Sequence, residues 1–120
     1  MSTYVDGFVI PVPKDKIEQY REMSQKASAV WKEYGALEYY ECVGDDMEIE
    51  NMVPFPKIAD AGPDDVVVFA WIMYRSREHR DEVNSKVIAD PRMNEMMDCS
   101  NPPFDCKKMA YGGFKVIVKG

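Results

Sequence analysis

Histidine is nearly absent from this 120-residue chain: His79 is the only one. Cysteine is scarce too. Cys42, Cys99 and Cys106 contain no CxxC pair and no tetrahedral zinc spacing, so no metal site is expected. They are read as reduced thiols, with a Cys99–Cys106 disulfide across the loop CSNPPFDC as the alternative. Long apolar runs are missing. The longest, VVVFAWIMY, is about half the ~20 residues that a membrane-spanning helix requires. The opening MSTYVDGF has neither a basic nor an apolar signal region, and a cytoplasmic protein is expected. Positive charge is also short, with 15 Lys and Arg against 21 Asp and Glu and a net charge of −6. A polyanion binder needs a basic face, so nucleic acid is not expected as a partner. There is no repeat, no low-complexity segment and no cofactor motif, and no cofactor is expected.

What is present reads as one domain over residues 1–120, with apolar and charged fractions of 46% and 30%, ordinary for a globular chain. TYVDGFVIPV predicts a strand stopped by Pro11 and Pro13. Asp15 and Glu18 have the spacing of a capping box. Ile17, Tyr20, Met23, Ala27, Val30, Trp31 and Tyr34 then recur at steps of three and four, the stripe of a helix lying on a sheet. Gly35 stands where such a helix ends. ALEYYECV predicts an edge strand. Residues 44–63 form a long connector, with one helical turn expected around Lys57 to Ala61. DVVVFAWIMY is the third and most apolar strand. Ser76 is the expected cap of a second helix that carries His79, Val83 and Val87 on one face. Asp90 and Pro91 open a short helix, in which Met93, Met96 and Met97 read as adaptable core filling or, alternatively, a binding box. MAYGGFKVIVK is the fourth strand.

The order βαββαβ is the ferredoxin-like α+β pattern. Right-handed crossovers give an antiparallel sheet in the order 4-1-3-2, with strands 1 and 3 central. Two helices cover one face of such a sheet, yet strand 3 is apolar on both: Val67, Phe69, Trp71 and Met73 alternate with Val66, Val68, Ala70 and Ile72. A sheet apolar on both faces needs cover on both. The expected cover is a second copy of the chain, two protomers together making a dimeric α/β barrel.

The blocks YVDGFVIPVPKDK, WKEYGALEYYECVGDD, RSREHRDEVNSKVIADPRM and YGGFKVIV resemble the YbaA-like family of uncharacterised bacterial proteins (domain of unknown function family 1428). The resemblance extends over nearly the whole chain. It implies the dimeric α/β-barrel superfamily, in which two ferredoxin-like protomers pack sheet against sheet. That superfamily contains cofactor-independent monooxygenases, haem-degrading enzymes, isomerases and ligand-sensing domains, so the fold says little about activity. The family carries no established catalytic residues to transfer.

Chemistry is therefore sought in the residues themselves. Asp6 is an acid inside a central strand, where an ionised group is costly unless paired. The topology brings the start of the second helix beside it, and an Asp6–His79 pair would set an imidazole tautomer for general-base work. The competing reading pairs Asp6 with an arginine or lets it cap a loop, and makes His79 a satisfied core residue. Arg75, Arg77 and Arg80 crowd a helix start, where cations are disfavoured. They are expected to bridge acids such as Glu38 or Glu41 or a partner chain, or else to hold an anion. Gly112 and Gly113 lie opposite Gly7 and mark a close approach, by a dimer partner or by a ligand. The connector 44–63 is expected to be a lid, an inter-subunit arm or mobile. A cleft between sheet and helices is thus expected, with Asp6 and His79 as tentative catalytic residues. Tyr4, Trp31, Trp71, Tyr74, Arg77 and Tyr111 are its expected ligand-binding residues, for a small aromatic or anionic molecule. Three functions compete: a cofactor-independent enzyme, a non-catalytic binding or sensing module, and an RNA-associated protein that the acidic charge opposes.

Overall fold

A computed structural model of the chain describes residues 3–96 and 102–120. In chain order the elements are β1 (Tyr4–Pro13), α1 (Ile17–Glu33), β2 (Glu38–Val43), α2 (Phe55–Ile58), β3 (Asp65–Tyr74), α3 (Arg77–Ala89), α4 (Pro91–Met96) and β4 (Ala110–Lys115). The strands form one sheet in the order β2-β3-β1-β4, with every neighbouring pair antiparallel. This is the ferredoxin-like arrangement expected from the element order.

Several boundaries differ from the sequence reading. β1 runs through Pro11 to Pro13 instead of stopping there. Odd-numbered residues of β1 turn their backbone groups toward β4, as the bond from Val116 N–H to the Thr3 carbonyl shows (3.0 Å). β4 covers β1 only as far as Val9, so the two imides face a side with no strand, and pairing with β3 continues to Asp65. The Asp15–Glu18 capping box does not form. Lys14–Lys16 make a single 3-10 turn, and α1 begins at Ile17 without a side-chain cap. The Lys14 N–H is still held by the Asp64 carbonyl (2.9 Å), which keeps the chain on the sheet and delays the helix. The turn in the connector falls at Phe55–Ile58, slightly before its expected place. Ser76 caps α3, its Oγ accepting from the His79 N–H at 3.1 Å. Asp90 accepts from the Arg92 N–H at 2.8 Å and so opens α4.

Register assigns the faces. Tyr4, Asp6, Phe8, Ile10 and Val12 share one face with their β3 partners Tyr74, Ile72, Ala70, Val68 and Val66, and the long helices lie over that face. Two clusters of buried side chains fill it: one around Val30, Ile72, Tyr74, Val83 and Met93, the other around Ile10, Val12, Tyr20 and Val68. Among the described residues the opposite face carries no long helix, and it is apolar as well. Tyr40 stacks on Trp71 there (4.6 Å between ring centroids), and Phe55 of α2 reaches Phe69 (6.2 Å). Phe69 nevertheless stays 44% exposed and Phe114 61%.

The paired Gly7 and Gly112 are accounted for within the chain, since a Cβ on either would meet the Phe114 ring. Gly113 leaves room on the other face for Tyr4, whose Cε2 lies 2.7 Å from where its Cβ would be. Cys42 is a free, exposed thiol. Cys106 is disulfide-bonded, against the expected set of reduced thiols. Met97 and Cys99 lie outside the described residues, and Met93 is core. Among the described residues no helix is long and apolar enough to cross a membrane.

Gly35 ends α1 at φ +115°, and a Cβ there would stand 3.3 Å from His79 Nε2. Gly35→Ala should therefore lose about 1–3 kcal/mol of stability in a urea titration, the usual cost of holding a side chain in a sparsely populated backbone region. An unchanged midpoint would show that this junction relaxes freely.

Candidate functional site

Two small residues, Ala27 on α1 and Ala70 on β3, line a gap between helix and sheet. The space they leave is part of a cleft of about 410 Å³ between the sheet and the helices. Phe8, Ile10 and Ile72 line it from the sheet, and Met23 and Trp31 from α1. Pro102, Pro103, Phe104 and Met109 line it from the segment before β4, with Ile88 of α3. Ile88 is 66% exposed and Tyr111 52%, so these side chains also meet solvent.

Polar groups cluster in two places on this apolar wall. The first is Asp6, 1% exposed in its strand. Arg80 Nη1 donates to its Oδ1 at 2.7 Å, and Asn84 Nδ2 approaches Oδ2 at 3.4 Å. The same Arg80 Nη1 donates to the Tyr111 hydroxyl (2.9 Å), and the guanidinium lies 4.9 Å from the Tyr4 ring centroid. Asn84 Oδ1 in turn accepts from Trp31 Nε1 (3.1 Å) and the Tyr74 hydroxyl (3.2 Å). The second cluster is Glu41. Its Oε1 accepts from the Tyr20 hydroxyl and its Oε2 from the Tyr39 hydroxyl, both at 2.7 Å. Burial, then the Glu41 charge, pushes both phenols far above the ordinary tyrosine range, so they remain neutral donors. Tyr74 is raised likewise by burial and then by Asp6.

The expected site residues are thus divided. Asp6, Trp31 and Tyr111 line the cleft, and Tyr4 and Tyr74 stand behind it as buried supports. His79 does not pair with Asp6. Its backbone N–H is taken by the Ser76 cap, its Nδ1 accepts from the Arg75 backbone N–H at 3.0 Å, and its Nε2 edge lies against Gly35. Trp71 belongs to the helix-free face, since it pairs with Gly7 and so alternates with Ile72. Arg75 and Arg77 are exposed, and Arg80, read from sequence only as a helix-start charge, is the residue that reaches the cleft's edge. Glu41, Tyr20, Tyr39 and Asn84 were not foreseen in this role. Tyr39 and Glu41 do share strand parity, but only the register Glu41↔Ala70 reveals that this parity faces the helices. Among the described residues no group of three His, Cys, Asp or Glu converges as metal ligands.

Two tests follow from this geometry. Arg80→Ala strands a buried carboxylate and should cost about 3–5 kcal/mol, whereas Asp6→Asn with Arg80→Met should recover most of that loss. Urea titration of the wild type and both variants compares them, and a double variant no more stable than Arg80→Ala would sink the idea of a coupled pair. His79 provides the second. Burial, then the Arg75 charge, lowers its pKa below the ordinary 6.5, against a smaller opposing effect of Glu82. As pH falls through 6.5 the unfolded chain takes up a proton that the folded chain refuses until lower pH. Stability should therefore decline with falling pH between 6.5 and the lowered value, and His79→Asn should remove that slope. The imidazole signal of the lone histidine in an NMR titration reads the value directly, and a midpoint above 6.5 would contradict this account.

Comparison with known proteins agrees with the architecture. The family described as protein of unknown function (DUF1428) matches residues 3–106. "Uncharacterized protein YbaA" of Escherichia coli (strain K12) is 46% identical over 115 residues, covering 96% of this chain and 97% of that protein. The protein of the same name from Shigella flexneri matches equally. Among solved structures, a dimeric ferredoxin-like protein from an uncultured marine organism superposes with a TM-score of 0.60, covering 100% of both chains. Its 10% identity makes that a likeness of fold alone. The family match spans nearly the whole sheet-and-helix unit, and the relatives extend it to almost full length; this chain belongs to the DUF1428 family.

Proposed function

We propose that this protein binds a small, largely apolar molecule in the cleft between sheet and helices, and that it does so as a homodimer joined through the helix-free face. The cleft itself carries the first part. Its volume of about 410 Å³ falls in the ordinary range for small-molecule sites, roughly 300–1,000 Å³. Its walls are apolar, and the polar groups in it are already hydrogen-bonded, so the site needs no rearrangement to be occupied. Binding without turnover is better supported than catalysis. Asp6 is engaged by Arg80 and Asn84, and His79 is turned toward the end of α1, so the acid and the histidine do not act as a pair in the cleft. Strong negative charge remains an argument against RNA.

The dimer reading rests on the other face. Tyr40, Phe69 and Phe114 are 50%, 44% and 61% exposed there, beside Trp71 and Met73. The connector adds Met52, Val53 and Ile58, all more than half exposed. A contiguous apolar surface of this kind is rare on monomers. The ferredoxin-like structure of similar fold is described as dimeric. Such packing leaves the cleft on the outside of each protomer, where a ligand can reach it.

The neutral fluorescent probe N-phenyl-1-naphthylamine should brighten on binding, and Ala27→Leu should weaken that binding by about tenfold or more by filling the space, with no fall in melting temperature. A probe signal indifferent to Ala27→Leu would count against the cleft. Light scattering should return the mass of two chains, and Trp71→Glu should return one. A monomeric wild type would remove the dimer.

A further inference from the structure

Two carboxylates line the cleft, and only one has a cation. Asp6 is answered by Arg80 at 2.7 Å. Glu41 forms no ion pair among the described residues; its partners are the neutral hydroxyls of Tyr20 and Tyr39. No lysine or arginine occurs among the described residues that line the cavity. Glu41, half-buried on its strand, is thus a carboxylate without a cationic partner among the described residues, set in a largely apolar wall.

Resting on the reading of the cleft as a ligand site, we propose that its ligand is a cationic amphiphile: a small aromatic or branched aliphatic amine whose ammonium group docks on Glu41. Each carboxylate oxygen has about two acceptor positions, and each tyrosine hydroxyl uses one, so both oxygens keep capacity for a donor. An ammonium supplies three N–H donors and the missing charge. Aromatic rings surround the same place. Tyr39 lies 5.9 Å from Trp31 and Tyr20 lies 5.6 Å from Phe104, measured between ring centroids. These rings pack against each other, and a ring face left open to the cleft attracts a cation held within about 6 Å of its centroid. The apolar body then extends past Ala70 and Ala27 toward Ile72 and Met93, where no ionic partner is required. Anions meet the opposite field, since the guanidinium behind Asp6 is already neutralised by it. The tyrosines have a second role: as donors to Glu41 they hold its carboxylate in place before the ligand arrives.

Three near-isosteric probes separate the possibilities by isothermal titration at neutral pH: phenethylamine, phenethyl alcohol and phenylacetate. Phenethylamine should bind more tightly than the alcohol by roughly tenfold, the equivalent of a charge-assisted hydrogen bond, and phenylacetate should bind most weakly. Glu41→Gln should bring the amine to the level of the alcohol and leave the alcohol unchanged. If amine and alcohol bind equally, or the variant preserves their difference, the cation is wrong and the cleft stands. If none of the three binds at millimolar concentration, both fall. Should Glu41→Gln fail to fold, the ranking of the three probes on the wild-type protein decides alone.

Discussion

A carboxylate sits almost wholly out of water in the middle of the sheet, and much of this structure is arranged around it. Asp6 lies on a central strand, where an ionised group without a partner would cost several kcal/mol. Its partner, Arg80, comes from the first turn of α3, so the pair fixes the rotation of that helix over the sheet. One turn later Asn84 reaches the other oxygen and ties in Trp31 of α1 and Tyr74 of β3. Residue 79 is displaced by about 100° from residue 80 around the helix, so a helix that aims Arg80 at Asp6 aims His79 elsewhere. It meets the end of α1, where Gly35 has no side chain to exclude it.

The cleft is the complement of this arrangement. Ala27 of α1 and Ala70 of β3, both small, line the space between helix and sheet. At that gap β2 contributes Glu41, which accepts from two tyrosine hydroxyls and has no cationic partner among the described residues. The two faces of the sheet are therefore unlike. One has helices, a cleft and two acids. The other has Trp71, Phe69 and Phe114 and, among the described residues, no helix beyond the single turn of α2.

Periodicity made the element order legible. The α1 stripe, the Ser76 cap, the Gly35 terminus and the apolar run of β3 are local features, and each forms where its residues stand. Local rules failed where a distant strand intervened. Pro11 should have ended β1, but the edge it faces has no neighbour. The Asp15 cap was overruled by a backbone bond to Asp64, a residue remote in sequence.

The same division holds for the site. The sequence alone determined that Asp6 needs a partner, that a cluster of arginines and one histidine stands at the start of α3, and that strand 3 is apolar on both faces. These follow from charge burial and side-chain alternation, which act over a few residues. Which of the arginines answers Asp6, which way His79 turns, and that Tyr20, Tyr39 and Glu41 converge were decided only in three dimensions. Helix rotation and strand register choose among neighbours one residue apart, and a shift of one exchanges the two faces of a strand. The energy that sets both is summed over contacts between elements, so no single segment contains the answer.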